Sequence, residues 1–149
     1  IRVIEFNARF GDPETQVVLR RLTSSLSGLL FKASTGQLNG AATPDFTKDV
    51  AITVVLASEG YPDTSAPNRP ISGLEEAEET GIEICHAATA AGVDDTDEYV
   101  LLATGGRVLS VVATGTDFAS ARKQAYAGIE KIQLEGSHYR KDIAAKVAN

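Results

Sequence analysis

Between Asp49 and Ser58 the chain runs through Val50, Ile52, Val54, Val55 and Leu56 with little polar interruption. A run this apolar and β-branched has the length of a buried strand, and burying it demands other elements on its faces. Glu59-Gly60-Tyr61-Pro62-Asp63 ends it with a turn. Two more β-rich runs, Tyr99 to Thr104 and Arg107 to Thr114, flank Gly105-Gly106. Because both glycines tolerate positive φ, this pair predicts the turn of a hairpin. A further strand is expected from Ile82 to Ala87, after a short acidic helical turn around Leu74 to Glu79.

Two helices are predicted to pack on these strands. Asp12 suits an N-cap, Pro13 the first helical position, and Glu14 the positive end of the helix dipole. From there Val18, Leu22, Leu26, Leu29 and Leu30 continue one stripe to the Ser34-Thr35-Gly36 breaker. Gly115-Thr116-Asp117 opens the second helix, whose Phe118, Ala121, Ala125, Ile129 and Ile132 keep the helical period until about Gly136. Ahead of the first helix, Arg2 to Asn7 alternates as a strand, with Val3, Glu5 and Asn7 on one face and Ile4 and Phe6 on the other. Residues 37–48 read as a connecting loop and residues 88–97 as an exposed acidic one. The fold class expected is α+β.

The net charge of −6 disfavours a nucleic-acid partner, and a 43% hydrophobic, 23% charged composition belongs to a globular chain rather than a disordered one. No apolar stretch approaches the roughly 20 residues of a membrane span, so no membrane partner is expected. Cys85 is the only cysteine, which suits a reducing compartment, and the cytoplasm is the expected location. The chain lacks methionine and opens directly on a strand pattern at Ile1, so it is expected to be a piece of a longer protein.

Two places carry candidate chemistry. Glu5 and Asn7, two residues apart on a strand, can offer two hard oxygens to one Mg²⁺, although a solvated strand face looks the same. Arg9 before Gly11-Asp12-Pro13-Glu14 places a guanidinium ahead of a helix N-terminus, an arrangement that suits a carboxylate or phosphate; a plain helix start beside a surface arginine is its bland counterpart. His86 and His138 stand too far apart to suggest a site, and Cys85 should face away from His86 on a strand. Gly105-Gly106-Arg107 reads first as a turn.

The run Glu5-Phe6-Asn7-Ala8-Arg9-Phe10-Gly11-Asp12-Pro13-Glu14-Thr15-Gln16 resembles the signature of the phosphoribosylamine–glycine ligase family. Ala57-Ser58-Glu59-Gly60-Tyr61-Pro62, Ser72-Gly73-Leu74-Glu75, Gly105-Gly106-Arg107-Val108-Leu109 and the run from Glu135 to Ile143 resemble that family's C-terminal region in the same order. The resemblance implies an ATP-grasp ligase of purine biosynthesis, in which ATP activates glycine as an acyl phosphate that the amine of 5-phosphoribosylamine attacks. It implies Glu5 and Asn7 as ligands of Mg²⁺ (or Mn²⁺), with ATP as co-substrate. Arg9 is implied as catalytic, and Arg9, Gly11, Asp12 and Pro13 as substrate-binding. It divides the chain into residues 1–43, the final strand and helix of the ATP-grasp domain, and residues 44–149, a small antiparallel sandwich-like barrel with a packed helix. Alone, such a chain is expected to be inactive and to self-associate through surface that faces the rest of the enzyme. Three rival readings are a non-catalytic interaction module, a neighbouring ATP-grasp ligase with another amine or acid substrate, and a biotinyl- or lipoyl-carrier barrel; for the last, Gly105-Gly106-Arg107 lacks the lysine anchor.

Overall fold

The computed structural model describes residues 2–4, 6, 8–94 and 96–148. Six strands and four helices are formed among them: α1 (Glu14–Arg21), α2 (Leu26–Ser34), β1 (Val50–Ala57), β2 (Arg69–Ile71), α3 (Leu74–Glu78), β3 (Glu83–His86), β4 (Thr89–Val93), β5 (Tyr99–Ala103), β6 (Arg107–Gly115) and α4 (Phe118–Ile129). The strands form two three-stranded antiparallel sheets, ordered β1-β6-β3 and β2-β5-β4.

The apolar run at β1 is buried because β6 pairs along its length and α4 covers one face. Ile52, Val54 and Leu56 stand opposite Ala113, Val111 and Leu109, so these six share a sheet face. All are buried, and Ala121, Ala125 and Ile129 of α4 close over them. α1 lies against β1 as well. Asp117 caps α4 by accepting from the Ser120 amide (2.7 Å), and the Ser120 hydroxyl accepts in turn from the Asp117 amide. Gly115 lets this first turn cross the end of β6, since a Cβ there would sit 2.8 Å from the Ala121 amide nitrogen.

Four expectations need correction. The Gly105-Gly106 pair does not turn a hairpin: β5 and β6 belong to different sheets. Instead β3 and β4 form one bent arm and β5 and β6 the other, with the hairpin tip between Val93 and Tyr99. At the bend, one arm advances three positions (86 to 89) while the other advances six (103 to 109). Thr104, Gly105 and Gly106 are the three extra residues, and they bulge out opposite Ala88. Ala88 accepts from the Thr104 amide (2.9 Å) and donates to the Arg107 carbonyl (3.1 Å), holding both flanks of the bulge.

The loop expected over residues 88–97 contains strand β4, whose small residues form a strand because β5 pairs with them. The first helix is two helices. Between them the Thr23 amide donates to the Asp45 carbonyl (2.9 Å) and the Thr47 amide to the Arg21 carbonyl (2.8 Å), so backbone pairing with residues 45–47 takes the chain out of the helix. Ser25 then caps α2 through the Gly28 amide. The strand expected at Arg2 to Asn7 is absent among its described residues. Ile4 is 96% and Phe6 88% exposed; Glu5 and Asn7 lie outside the described residues.

Other expectations match closely: β1, α3 and β3 fall within their sequence ranges, and the first stripe stops at Ser34. The second helix ends at Ile129, seven residues before Gly136, with Ile132 buried in the turn that follows and Phe118 39% exposed. No helix among the described residues is long and apolar enough to cross a membrane.

Leu109 is fully buried between its strand partners and α4. Leu109→Ala is expected to destabilise the domain by about 3 kcal/mol, measurable by urea unfolding. A loss below about 1 kcal/mol would mean that this face is not packed as described.

Candidate functional site

The bulge at Gly105-Gly106 meets two other segments. On one side, the Ser58 amide donates to the Gly106 carbonyl (2.8 Å), tying the end of β1 to the bulge. The Tyr61 ring lies so close over Gly106 that a side chain there would collide with it. The turn carrying Tyr61 is itself pinned by Arg69, whose guanidinium donates to the Ser58 hydroxyl (2.9 Å), the Ala66 carbonyl (3.3 Å), Glu59 (3.1 Å) and the Glu135 carbonyl. Gly60, at φ +80°, supplies the backbone conformation this turn requires.

On the other side lies the Gly11-Asp12-Pro13 segment. Asp12 does not cap α1, contrary to expectation. The helix begins at Glu14 with no side-chain cap, and the Thr15 amide (2.9 Å) and hydroxyl (2.6 Å) both donate to the Gly11 carbonyl. The Asp12 carboxylate is occupied elsewhere: it accepts from the Gln16 side-chain amide (3.2 Å) and from Arg107 (3.2 Å). The same Arg107 Nη1 also donates to the Asp12 carbonyl (3.1 Å), while its Nε donates to the Tyr61 hydroxyl (2.8 Å). The Tyr61 hydroxyl first, and Asp12 after it, hold the Arg107 guanidinium even more firmly protonated than an ordinary arginine.

Beside this cluster a cleft of about 330 Å³ opens over the outer side of β1, walled by Pro13, Tyr61, Arg107, His138, Tyr139 and Arg140. The far wall is a tail segment: Ala57 and His138 exchange both backbone hydrogen bonds (2.8 and 3.0 Å), and the Tyr126 hydroxyl and Arg122 of α4 hold the chain from Arg140 to Ile143. Arg140 is paired through two bonds with Asp142. The cleft therefore combines an apolar floor with two guanidinium groups at its rim that are already paired, Arg107 with Asp12 and Arg140 with Asp142.

Of the residues singled out in the sequence, Gly11, Asp12 and Pro13 come together here. Arg9 does not join them; it is exposed and donates to the neighbouring Phe10 carbonyl (2.8 Å). Glu5 and Asn7 lie outside the described residues, and among the described residues no group of three or more His, Cys, Asp or Glu side chains could hold a metal ion. His86 sits 3.1 Å from the Thr89 hydroxyl, and His138 lies across the sheet from it, beyond β6 and β1. Burial, and then the charge of Glu83, push the Cys85 thiol up against the opposing pull of Arg20, leaving little nucleophilic thiolate at neutral pH. Arg107 and Tyr61 are the residues that sequence reasoning missed. The available signal is an arginine directly after a glycine pair, which a hairpin turn accounts for equally well.

The chain matches the family model for the phosphoribosylglycinamide synthetase C domain over residues 51–146. It is 58% identical over 98% of its length to the phosphoribosylamine–glycine ligase of Leifsonia xyli, and 48% identical over 99% to that of Streptomyces coelicolor. It covers 34% and 35% of those two proteins, so it spans about a third of the length of the curated relatives it matches. The crystal structure of the phosphoribosylamine–glycine ligase of Thermotoga maritima superimposes with a TM-score of 0.73 at 34% identity, covering 94% of this chain and 32% of that one.

Gly106→Ala is expected to displace the Tyr61 ring and to destabilise the domain by about 1–3 kcal/mol in thermal or urea unfolding. An unchanged midpoint would show that Tyr61 does not rest on the bulge.

Proposed function

This chain belongs to the phosphoribosylglycinamide synthetase C-domain family, and on that premise we propose that it is the C-terminal part of a phosphoribosylamine–glycine ligase. In this reading the complete enzyme uses ATP to convert glycine to its acyl phosphate. The amine of 5-phosphoribosylamine then displaces phosphate, giving glycinamide ribonucleotide, ADP and phosphate in purine biosynthesis, in the cytoplasm. The observation that carries the reading is high identity to ligases along nearly the whole chain, including residues ahead of the C-domain match.

Residues 1–43 are assigned to the end of an ATP-grasp catalytic domain, and residues 44–149 to the small C-terminal domain. Glu5 and Asn7 form a donor set of one carboxylate and one amide oxygen, the hard ligands that Mg²⁺ or Mn²⁺ accepts. When bound there, the ion supplies charge neutralisation to the ATP phosphates. The chain's own part is positioning. Among the described residues Arg9 pairs with no carboxylate, which leaves its guanidinium available to an anionic reactant. The Gly11-Asp12-Pro13 loop is held separately, by Arg107. Catalysis by such a site rests on electrostatics and orientation rather than covalent chemistry.

In a complete ligase carrying this sequence, Glu5→Ala or Asn7→Ala is expected to lower kcat about a hundredfold or more, read as ADP release coupled to glycinamide ribonucleotide formation. Undiminished turnover in both variants would contradict the assignment. The 149-residue chain by itself is expected to release no ADP.

The chain alone is also expected to self-associate. Ile4, Phe6, Phe10 and Phe31 are each at least 60% exposed, and such apolar surface is normally covered. Size-exclusion chromatography at rising concentration should show species larger than 15.7 kDa, whereas a clean monomer throughout would count against this expectation.

A further inference from the structure

We infer that Arg107, set by the Gly105-Gly106 bulge and oriented by Tyr61, is a positioning residue that holds the Asp12 loop in its working geometry. The ordinary worth of such an ion pair would not suggest this. Arg107 and Asp12 are 42% and 48% exposed at their side chains, and exposed pairs contribute little to stability. The geometry differs from a simple surface pair in three ways.

First, one guanidinium serves three acceptors at once: the Asp12 carbonyl, the Asp12 carboxylate and the Tyr61 hydroxyl. A planar fork fixes orientation in a way that a lysine ammonium cannot. Second, the contact joins residues 95 apart in the chain and restrains backbone as well as side chain, because the carbonyl of Asp12 is one of its acceptors. Third, the bulge is unnecessary for the turn between β4 and β5, which lies at residues 94–98. Its three extra residues interrupt an otherwise continuous ladder and deliver Arg107 next to Tyr61, whose ring only a glycine at 106 accommodates. A ladder defect supported from both sides by hydrogen bonds, from Ser58 and Ala88, is a built feature.

On the ligase reading, freeing Asp12 misplaces a substrate loop, and a displacement of about 1 Å can slow a positioned reaction about a hundredfold. In the complete enzyme, Arg107→Ala should therefore lower kcat/KM for glycine by about that factor. Arg107→Lys, which returns a cation to Asp12 without the fork, should recover part of the loss. Adding Arg107→Ala to Asp12→Ala should cost less than it does in the parent enzyme, because both changes remove one restraint. Should Arg107→Ala turn over within twofold of the parent while Glu5→Ala is inactive, the positioning role is wrong and the ligase reading stands.

Hydrogen exchange on this chain tests the restraint independently of any activity. The Thr15 amide, bonded to Gly11 at the foot of the loop, should exchange at least tenfold faster in Arg107→Ala, while the amides of β6 such as Val111 stay within twofold. Unchanged protection at Thr15 would overturn the inference even if the enzyme proved to be a ligase. Accelerated exchange in a protein that forms no glycinamide ribonucleotide would uphold the restraint and remove the ligase reading instead.

Discussion

The pairing of β6 with two partners organises this domain. β6 is a nine-residue strand hydrogen-bonded to β1 on one edge and to β3 on the other, with α4 against one face. Seven of its residues, Val108 to Thr114, supply five of the most deeply buried apolar side chains in the fold: Val108, Leu109, Val111, Val112 and Ala113. Burial of this kind supplies most of the favourable free energy of folding. With the strand so anchored, its first residue, Arg107, cannot drift. What emerges at the end of β6 is therefore presented rigidly to whatever lies beside it, and beside it are Tyr61 and Asp12.

The same rigidity reaches the loop carrying Tyr61 by a second route. Arg69 stands at the start of β2, in the other sheet, and its guanidinium gathers Ser58, Ala66, Glu59 and the Glu135 carbonyl around one point. The two sheets thus meet twice near the cleft, once through the bulged hairpin and once through Arg69. A preorganised site of this sort loses little entropy when a ligand arrives.

Much of this was legible in the sequence, and the exceptions have physical reasons. β1 and β6 declare themselves by continuous β-branched apolar runs, and α4 by its cap and its alanine stripe, because each is decided by local pattern and burial together. β4 was hidden because Thr89-Ala90-Ala91-Gly92-Val93 has little strand preference of its own and is extended only through pairing with β5. The break between α1 and α2 was hidden because backbone bonds to residues 45–47 outweigh a continuous helical stripe. The Thr23-Ser24-Ser25 run held a cap signal that the stripe obscured. Gly105-Gly106 is ambiguous by sequence because a glycine pair between strands has two solutions, a tight turn or a bulge. The choice depends on Ala88 and Ser58, which approach from elsewhere in the chain. Asp12 likewise forms a plausible cap by sequence alone, until an arginine 95 residues away claims its carboxylate.

The bulged corner on which Arg107 depends is open to direct observation by nuclear Overhauser contacts in isotope-labelled protein. The account predicts that Ala88 shows cross-strand backbone contacts to both Thr104 and Arg107, and that the Arg107 side chain shows contacts to Tyr61 and Asp12. Direct cross-strand contacts between Thr104 and Arg107, with none from either to Ala88, would describe a tight Gly105-Gly106 hairpin and would contradict it.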